Sequence, residues 1–138
     1  MPYYGVACPV VIDISDPHPK VLKMNALDYS YKDKNVLSIS TVEHFKTSEY
    51  LNRTDSDSSA FMQKIAKESK NYLITWGLGY NLFLDAWLEL SRLRYNVLTK
   101  VAGENWCVAE SKRLSHIYDY TRCSATAICV VTNLTELL

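Results

Sequence analysis

The stretch from Asn71 to Val101 constrains the fold more than any other, because it is too apolar for more than one of its faces to be left in water. Leu73, Trp76, Tyr80, Leu84 and Trp87 recur at the spacing of one buried helical stripe. A second apolar set, Ile74, Leu78, Leu82, Ala86 and Leu93, lies off that stripe, so protein must cover more than one side of such a helix. The spacing therefore predicts one long central helix, with Gly103 placed to end it in a left-handed residue. Gly77 and Gly79 each cost about 1 kcal/mol relative to alanine inside a helix. Their presence predicts close packing against another backbone at that point, or a kink.

On either side the pattern changes to strands. Val10, Val11, Ile12 and Ile14 form a β-branched run that Pro17-His18-Pro19 ends. Val21 to Met24 and Val36 to Ile39 are further strands, with the polar stretch Tyr31 to Asn35 suited to a hairpin loop. Ser40-Thr-Val-Glu43 matches a capping box and predicts a short helix from Thr41 to about Leu51. Asn52 to Ser59 reads as an exposed polar loop, followed by a helix from about Ala60 that buries Phe61 and Ile65. This helix either runs straight into the central one or breaks from it at Ser69-Lys-Asn71. After the central helix, Asn105 to Ser111, Leu114 to Thr121 and Ala125 to Thr132 read as a three-stranded meander. The last strand is apolar on both faces, which suits a central position in a sheet or cover by a partner. The expected fold class is thus α+β: a single compact domain, residues 1–138, with a long central helix packed on an antiparallel sheet built from the N- and C-terminal segments.

Charge and cysteine content narrow the function. Fifteen basic residues balance fifteen acidic ones, so there is no strong nucleic-acid signal; the mild basic excess between Arg92 and Arg122 reads as a solvated face. Gly77, Gly79, Asn81, Asp85 and Glu89 interrupt the apolar run from Leu73 to Leu90, and no membrane span is expected. The first residues lack the basic and then continuously apolar regions of a secretory signal. A cytoplasmic protein with reduced cysteines is expected. Cys8, Cys107, Cys123 and Cys129 match no metal or redox spacing, and neither a metal site nor a cofactor is expected.

Catalytic residues are not identified. The nearest group to one is Cys107, Glu110 and His116, since a thiol beside histidine and carboxylate makes a nucleophile. Strand alternation, however, puts Cys107 and Glu110 on opposite faces. Small residues near Gly77, Gly79 and Cys107 leave room for a ligand pocket lined by Trp76, Tyr80 and Trp106. Ten tyrosines and three tryptophans exceed the needs of the visible core. Tyr3, Tyr4, Tyr29, Tyr31, Tyr118 and Tyr120 fall in strand-like segments and form a candidate interface. The leading expectation is a non-catalytic module that binds a protein partner or itself as a homo-oligomer through this aromatic-rich surface. The alternative is a small-molecule-binding domain, or a thiol-dependent enzyme, with its pocket between the central helix and the C-terminal sheet.

Overall fold

The computed structural model describes residues 10–13, 16–45, 57–101 and 105–137. It divides into two compact units, Met1–Ser30 and Tyr31–Leu138. In the first, strands β1 (Val11–Asp13) and β2 (Val21–Lys23) pair in parallel, with Val11 opposite Val21. The link between them is held by local bonds: Asp16 N–H donates to Asp13 Oδ1 at 3.0 Å, and His18 N–H to Asp16 Oδ1 at 2.8 Å.

The second unit is organised by a five-stranded mixed sheet. Its strands are β3 (Asn35–Ile39), β4 (Asn71–Gly77), β5 (Tyr95–Val101), β6 (Asn105–Val108) and β9 (Ala127–Thr132), in the order β3-β4-β9-β5-β6. β3 and β4 are parallel, and helix α1 (Asp57–Glu68) lies between them in the chain. β9 runs antiparallel to both β4 and β5, which puts the strand with two apolar faces at the centre. Helix α2 (Leu82–Leu90) connects β4 to β5, and a small hairpin of β7 (Tyr118–Asp119) and β8 (Ser124–Ala125) precedes β9.

The expected long central helix is not there, and the expected antiparallel sheet is a mixed one drawn largely from the middle of the chain. Residues 71–101 are instead a strand, a turn, a nine-residue helix and another strand. Burial decides the matter. Tyr72, Ile74 and Trp76 alternate with the half-buried Leu73 and Thr75, so period two buries three large side chains on one face. Each such side chain contributes about 1.5–3 kcal/mol when fully buried, whereas helix propensities separate these residue types by tenths of a kcal/mol. The helical stripe from Leu73 to Trp87 was a coincidence of spacing across a strand, a turn and a helix. Other boundaries move less. α1 starts at Asp57, inside the expected polar loop. Among the described residues the capping box is followed by a 3-10 turn, Val42–His44, and Ser40 bonds the Glu43 side chain rather than a backbone N–H. The remainder of that expected helix lies outside the described residues.

One face of the sheet is closed. Tyr72, Ile74, Trp76, Val97, Ala127, Cys129 and Val131 are buried there, as are Phe61, Met62 and Ile65 of α1 and Leu84 and Leu88 of α2. The opposite face carries Leu37 at 68%, Ile39 at 62% and Val108 at 62% exposure. At the end of β4 this open face is covered by the hairpin: a Cβ on Gly77 would come within 2.8 Å of Ala125 Cβ. The two glycines do mark close packing, though on a strand and a turn rather than within a helix.

Candidate functional site

A cavity of about 150 Å³ lies beyond the carboxyl ends of the parallel strands β3 and β4. Ile39 and Ser40 enter it from the end of β3, Thr75 to Gly77 from the end of β4, and Tyr118, Cys123 and Ala125 from the hairpin. Glu43, His44 and Tyr80 close the remaining side.

The turn after β4 is held by a buried carboxylate. Asp85, in the first turn of α2, accepts from Trp76 Nε1–H at 2.9 Å and from Gly79 N–H at 2.8 Å. Gly79 has φ of +87°, a conformation that glycine adopts without strain. Burial raises the Asp85 pKa, with the Gly79 N–H, the Trp76 N–H and the nearby His116 each pulling it back. Asn81 caps α2 by accepting from Leu84 N–H at 3.0 Å, and its amide donates to the Glu43 carbonyl at 3.0 Å. One asparagine therefore fixes the start of α2 relative to the 3-10 turn that carries Glu43 and His44.

Glu43 is the unusual member of this group. It is only 3% exposed, its Oε1 accepts from Ser40 Oγ–H at 2.8 Å, and among the described residues no hydrogen bond reaches its Oε2. An unsatisfied buried oxygen costs about 1–3 kcal/mol. Ser40 has φ of +50° at the end of β3, a strained conformation for a residue with a side chain, and this turn brings its hydroxyl to the glutamate. Burial pushes the Glu43 pKa up; main-chain N–H groups, the Ser40 hydroxyl and His44 pull it down less strongly. His44 Nε2 lies 4.0 Å from Glu43 Oε1, and its Nδ1 is 3.2 Å from the Tyr80 hydroxyl.

Tyrosine rings form the wall beside the carboxyl. Tyr80 and Tyr118 meet edge to face, with centroids 5.0 Å apart and planes at 78°, and Tyr120 packs on both. The Tyr120 hydroxyl donates to the Tyr80 carbonyl at 3.2 Å. Burial is also the main reason the Tyr118 pKa is raised, with Cys123 and Glu43 adding to it. Cys123 closes the hairpin turn at φ of +48° and donates its thiol to the Tyr120 carbonyl at 3.6 Å.

The protonation of Glu43 gives a stability test. A carboxyl whose pKa is raised on folding contributes stability that is fully present below its ordinary value of 4.5 and is lost as pH rises through the higher folded value. His44 is the titratable neighbour that acts on it, and Glu43 in turn acts on Tyr118. Glu43→Gln removes this titration. Melting temperatures measured from about pH 4 to about pH 8 should show the variant gaining on the wild type across that window. A constant difference would mean that Glu43 titrates normally.

The residues expected from sequence distribute unevenly. Trp76 and Tyr80 line the cavity, but Trp106 sits on the edge strand β6 with Lys100 Nζ 5.2 Å from its ring centre. The pocket therefore opens beside the β7–β8 hairpin and not between a central helix and the C-terminal sheet. Cys107 and Glu110 are exposed, and His116 Nε2 bonds the Arg113 carbonyl at 3.0 Å; no hydrogen bond joins the three. Among the candidate interface tyrosines, Tyr31 is in the core, edge-on to Phe61 at 5.9 Å, and Tyr29 is half-buried in the first unit. Tyr118 and Tyr120 belong to the cavity wall and its backing, and Tyr3 and Tyr4 lie outside the described residues. Cys129 is buried beneath the sheet, which raises its thiol pKa well above the ordinary range and leaves it an inert packing group. Sequence reasoning missed Glu43, His44 and Asp85 as site residues. A lone aspartate inside the apolar segment Leu82–Leu90 was the available signal, since a carboxylate there must find donors.

Among the described residues no helix is long and apolar enough to cross a membrane, and no three His, Cys, Asp or Glu side chains are grouped to hold a metal ion. Compared with known proteins, the chain matches no family model, no curated protein and no solved structure.

Proposed function

We propose that this chain is a non-catalytic small-molecule-binding domain whose site is the cavity at the carboxyl ends of β3 and β4. The observation that carries the reading is Glu43, a cavity-lining side chain almost entirely withdrawn from water, one of whose oxygens has no hydrogen-bond partner among the described residues. A donor bound against this carboxyl would offset the penalty of leaving an acceptor bare. The surrounding bonds through Asn81, Asp85 and Tyr120 hold the walls in place before any ligand arrives, which reduces the ordering cost of binding. The exposed free thiols of Cys107 and Cys123 suit the reducing cytoplasm.

The test is a titration of the isotope-labelled protein with phenol, acetamide, butan-1-ol, butanoate and n-butylammonium, followed by amide chemical shifts. At least one probe should move Ser40, His44, Gly77, Tyr80 and Ala125 together. If every probe leaves them in place, the cavity is not a ligand site.

A second reading, self-association, is favoured by the open sheet face with Leu37, Ile39 and Val108 exposed. It replaces the expected tyrosine stripe with aliphatic side chains on the edge strands β3 and β6. Light scattering should then give a dimer that Leu37→Lys converts to a monomer. A wild-type monomer at all concentrations removes this reading.

A further inference from the structure

We propose that the cavity takes an organic ammonium ion, seated between the carboxyl of Glu43 and the rings of Tyr80 and Tyr118. The inference rests on the binding reading above and specifies the chemistry of what binds. Three observations converge on a cation. First, the acidic side chain at the cavity is Glu43, and among the described residues no lysine or arginine lines the space. An anion entering here would meet the Glu43 carboxyl, and of the lining side chains His44 alone can carry positive charge. Second, the Glu43 carboxyl at the cavity has unused acceptor capacity, since one of its oxygens has no hydrogen-bond partner among the described residues, and an ammonium N–H is the strongest donor that a small ligand offers to such a group. Third, Tyr80 and Tyr118 stand at 78° to each other with centroids 5.0 Å apart, so the two rings form a corner rather than a flat stack. Aromatic rings attract cations, and both of these border the cavity, with His44 packed edge-on against Tyr80 at 4.7 Å.

Size limits the ion further. A volume of about 150 Å³ is well below the range of about 300–1,000 Å³ that accommodates drug-sized ligands. It suits a short alkylammonium, whether a free amine or the end of a lysine side chain. Burial keeps Glu43 protonated more readily than an exposed glutamate. An arriving ammonium ion adds a fixed positive charge to the one that His44 can offer, so the acid gives up its proton to solvent and a charge-assisted pair forms in a partly dry site.

The experiment compares n-butylammonium with its neutral and anionic counterparts, butan-1-ol and butanoate, by the same amide shifts at constant ionic strength and neutral pH. n-Butylammonium should bind about tenfold more tightly than butan-1-ol, and butanoate should bind more weakly still. Glu43→Gln should reduce n-butylammonium affinity about tenfold, and Tyr118→Leu about fivefold, with folding of each variant checked by its amide spectrum. If a variant does not fold, the wild-type probe series still decides the question. Nα-acetyl-lysine N-methylamide separates the sources: binding tighter than n-butylammonium assigns the ion to a protein side chain, weaker binding assigns it to a free amine, and both support the proposal. If butan-1-ol or butanoate moves the same amides at equal or lower concentration, the cation is overturned while the ligand site stands. If no probe moves them, both fall.

Discussion

Gly79→Ala is expected to destabilise the protein by about 4 kcal/mol, a large fraction of the total stability of a domain this size. Two effects add. The φ of +87° at Gly79 is one that residues with a side chain rarely adopt, and forcing alanine into such a conformation costs about 1–2 kcal/mol. The new methyl would also drive into the His116 carbonyl oxygen and lie 2.8 Å from the Tyr118 nitrogen. Both obstacles are backbone, so relief requires moving the whole approach to β7. Gly77→Ala provides the contrast. Its added Cβ meets the Ala125 methyl at 2.8 Å without a positive φ, so a cost of about 1.5 kcal/mol is expected. Ala125→Gly should recover most of that loss, and no side-chain deletion should rescue Gly79→Ala. Chemical denaturation of the two variants and the Gly77→Ala/Ala125→Gly pair checks this. A Gly79→Ala variant within 1 kcal/mol of wild type would mean that the segment from His116 to Tyr118 yields easily.

These glycines also show what could be read from the sequence and what could not. Their placement among large apolar residues signalled close approach, and close approach is found at both. What the residues could not reveal was the element that carries them. Leu73, Trp76, Tyr80 and Leu84 satisfy a helical period, and Tyr72, Ile74 and Trp76 satisfy a strand period just as well. The choice falls to β3, β9 and the hairpin, which lie far away in sequence and supply the hydrogen bonds and the covering surface. Local propensity is too weak to outweigh such partners. β9 was easier because the partner requirement is written into it: apolar residues on both faces demand cover on both sides.

The site was legible in fragments. Trp76, Tyr80 and Tyr118 could be singled out as aromatic residues in need of an explanation. Glu43 was hidden because Ser40 and Glu43 have the spacing of a capping box, and the same spacing here serves a side-chain pair, Ser40 Oγ–H to Glu43 Oε1, at the end of a strand. The chemical types and interval are identical in the two arrangements. What separates them is the partner of the serine hydroxyl, which here is the glutamate carboxyl, ahead of a 3-10 turn at Val42–His44.

Asp85→Ala should cost about 3 kcal/mol and, at the same time, loosen the ligand site. The loss comes from two donors, Trp76 Nε1–H and Gly79 N–H, that would remain buried with no acceptor. Each unsatisfied donor costs about 1–3 kcal/mol. Part of this is offset, because removing the carboxylate also removes the burial penalty that raises its pKa. Asp85→Asn separates these contributions. It keeps one acceptor oxygen but turns an NH₂ group towards the other donor, so it should recover less than half of the loss. The consequence for function follows from position: Gly79 precedes Tyr80, whose hydroxyl meets His44 and whose carbonyl receives Tyr120. Releasing Gly79 frees the ring that forms half of the aromatic corner. Asp85→Asn should therefore broaden the amide signals of Gly79 and Tyr80 and weaken n-butylammonium binding, although Asp85 itself does not line the cavity. Unchanged stability, or lost stability with a rigid Tyr80 and intact binding, would show that the turn is held by the strand and the hairpin alone.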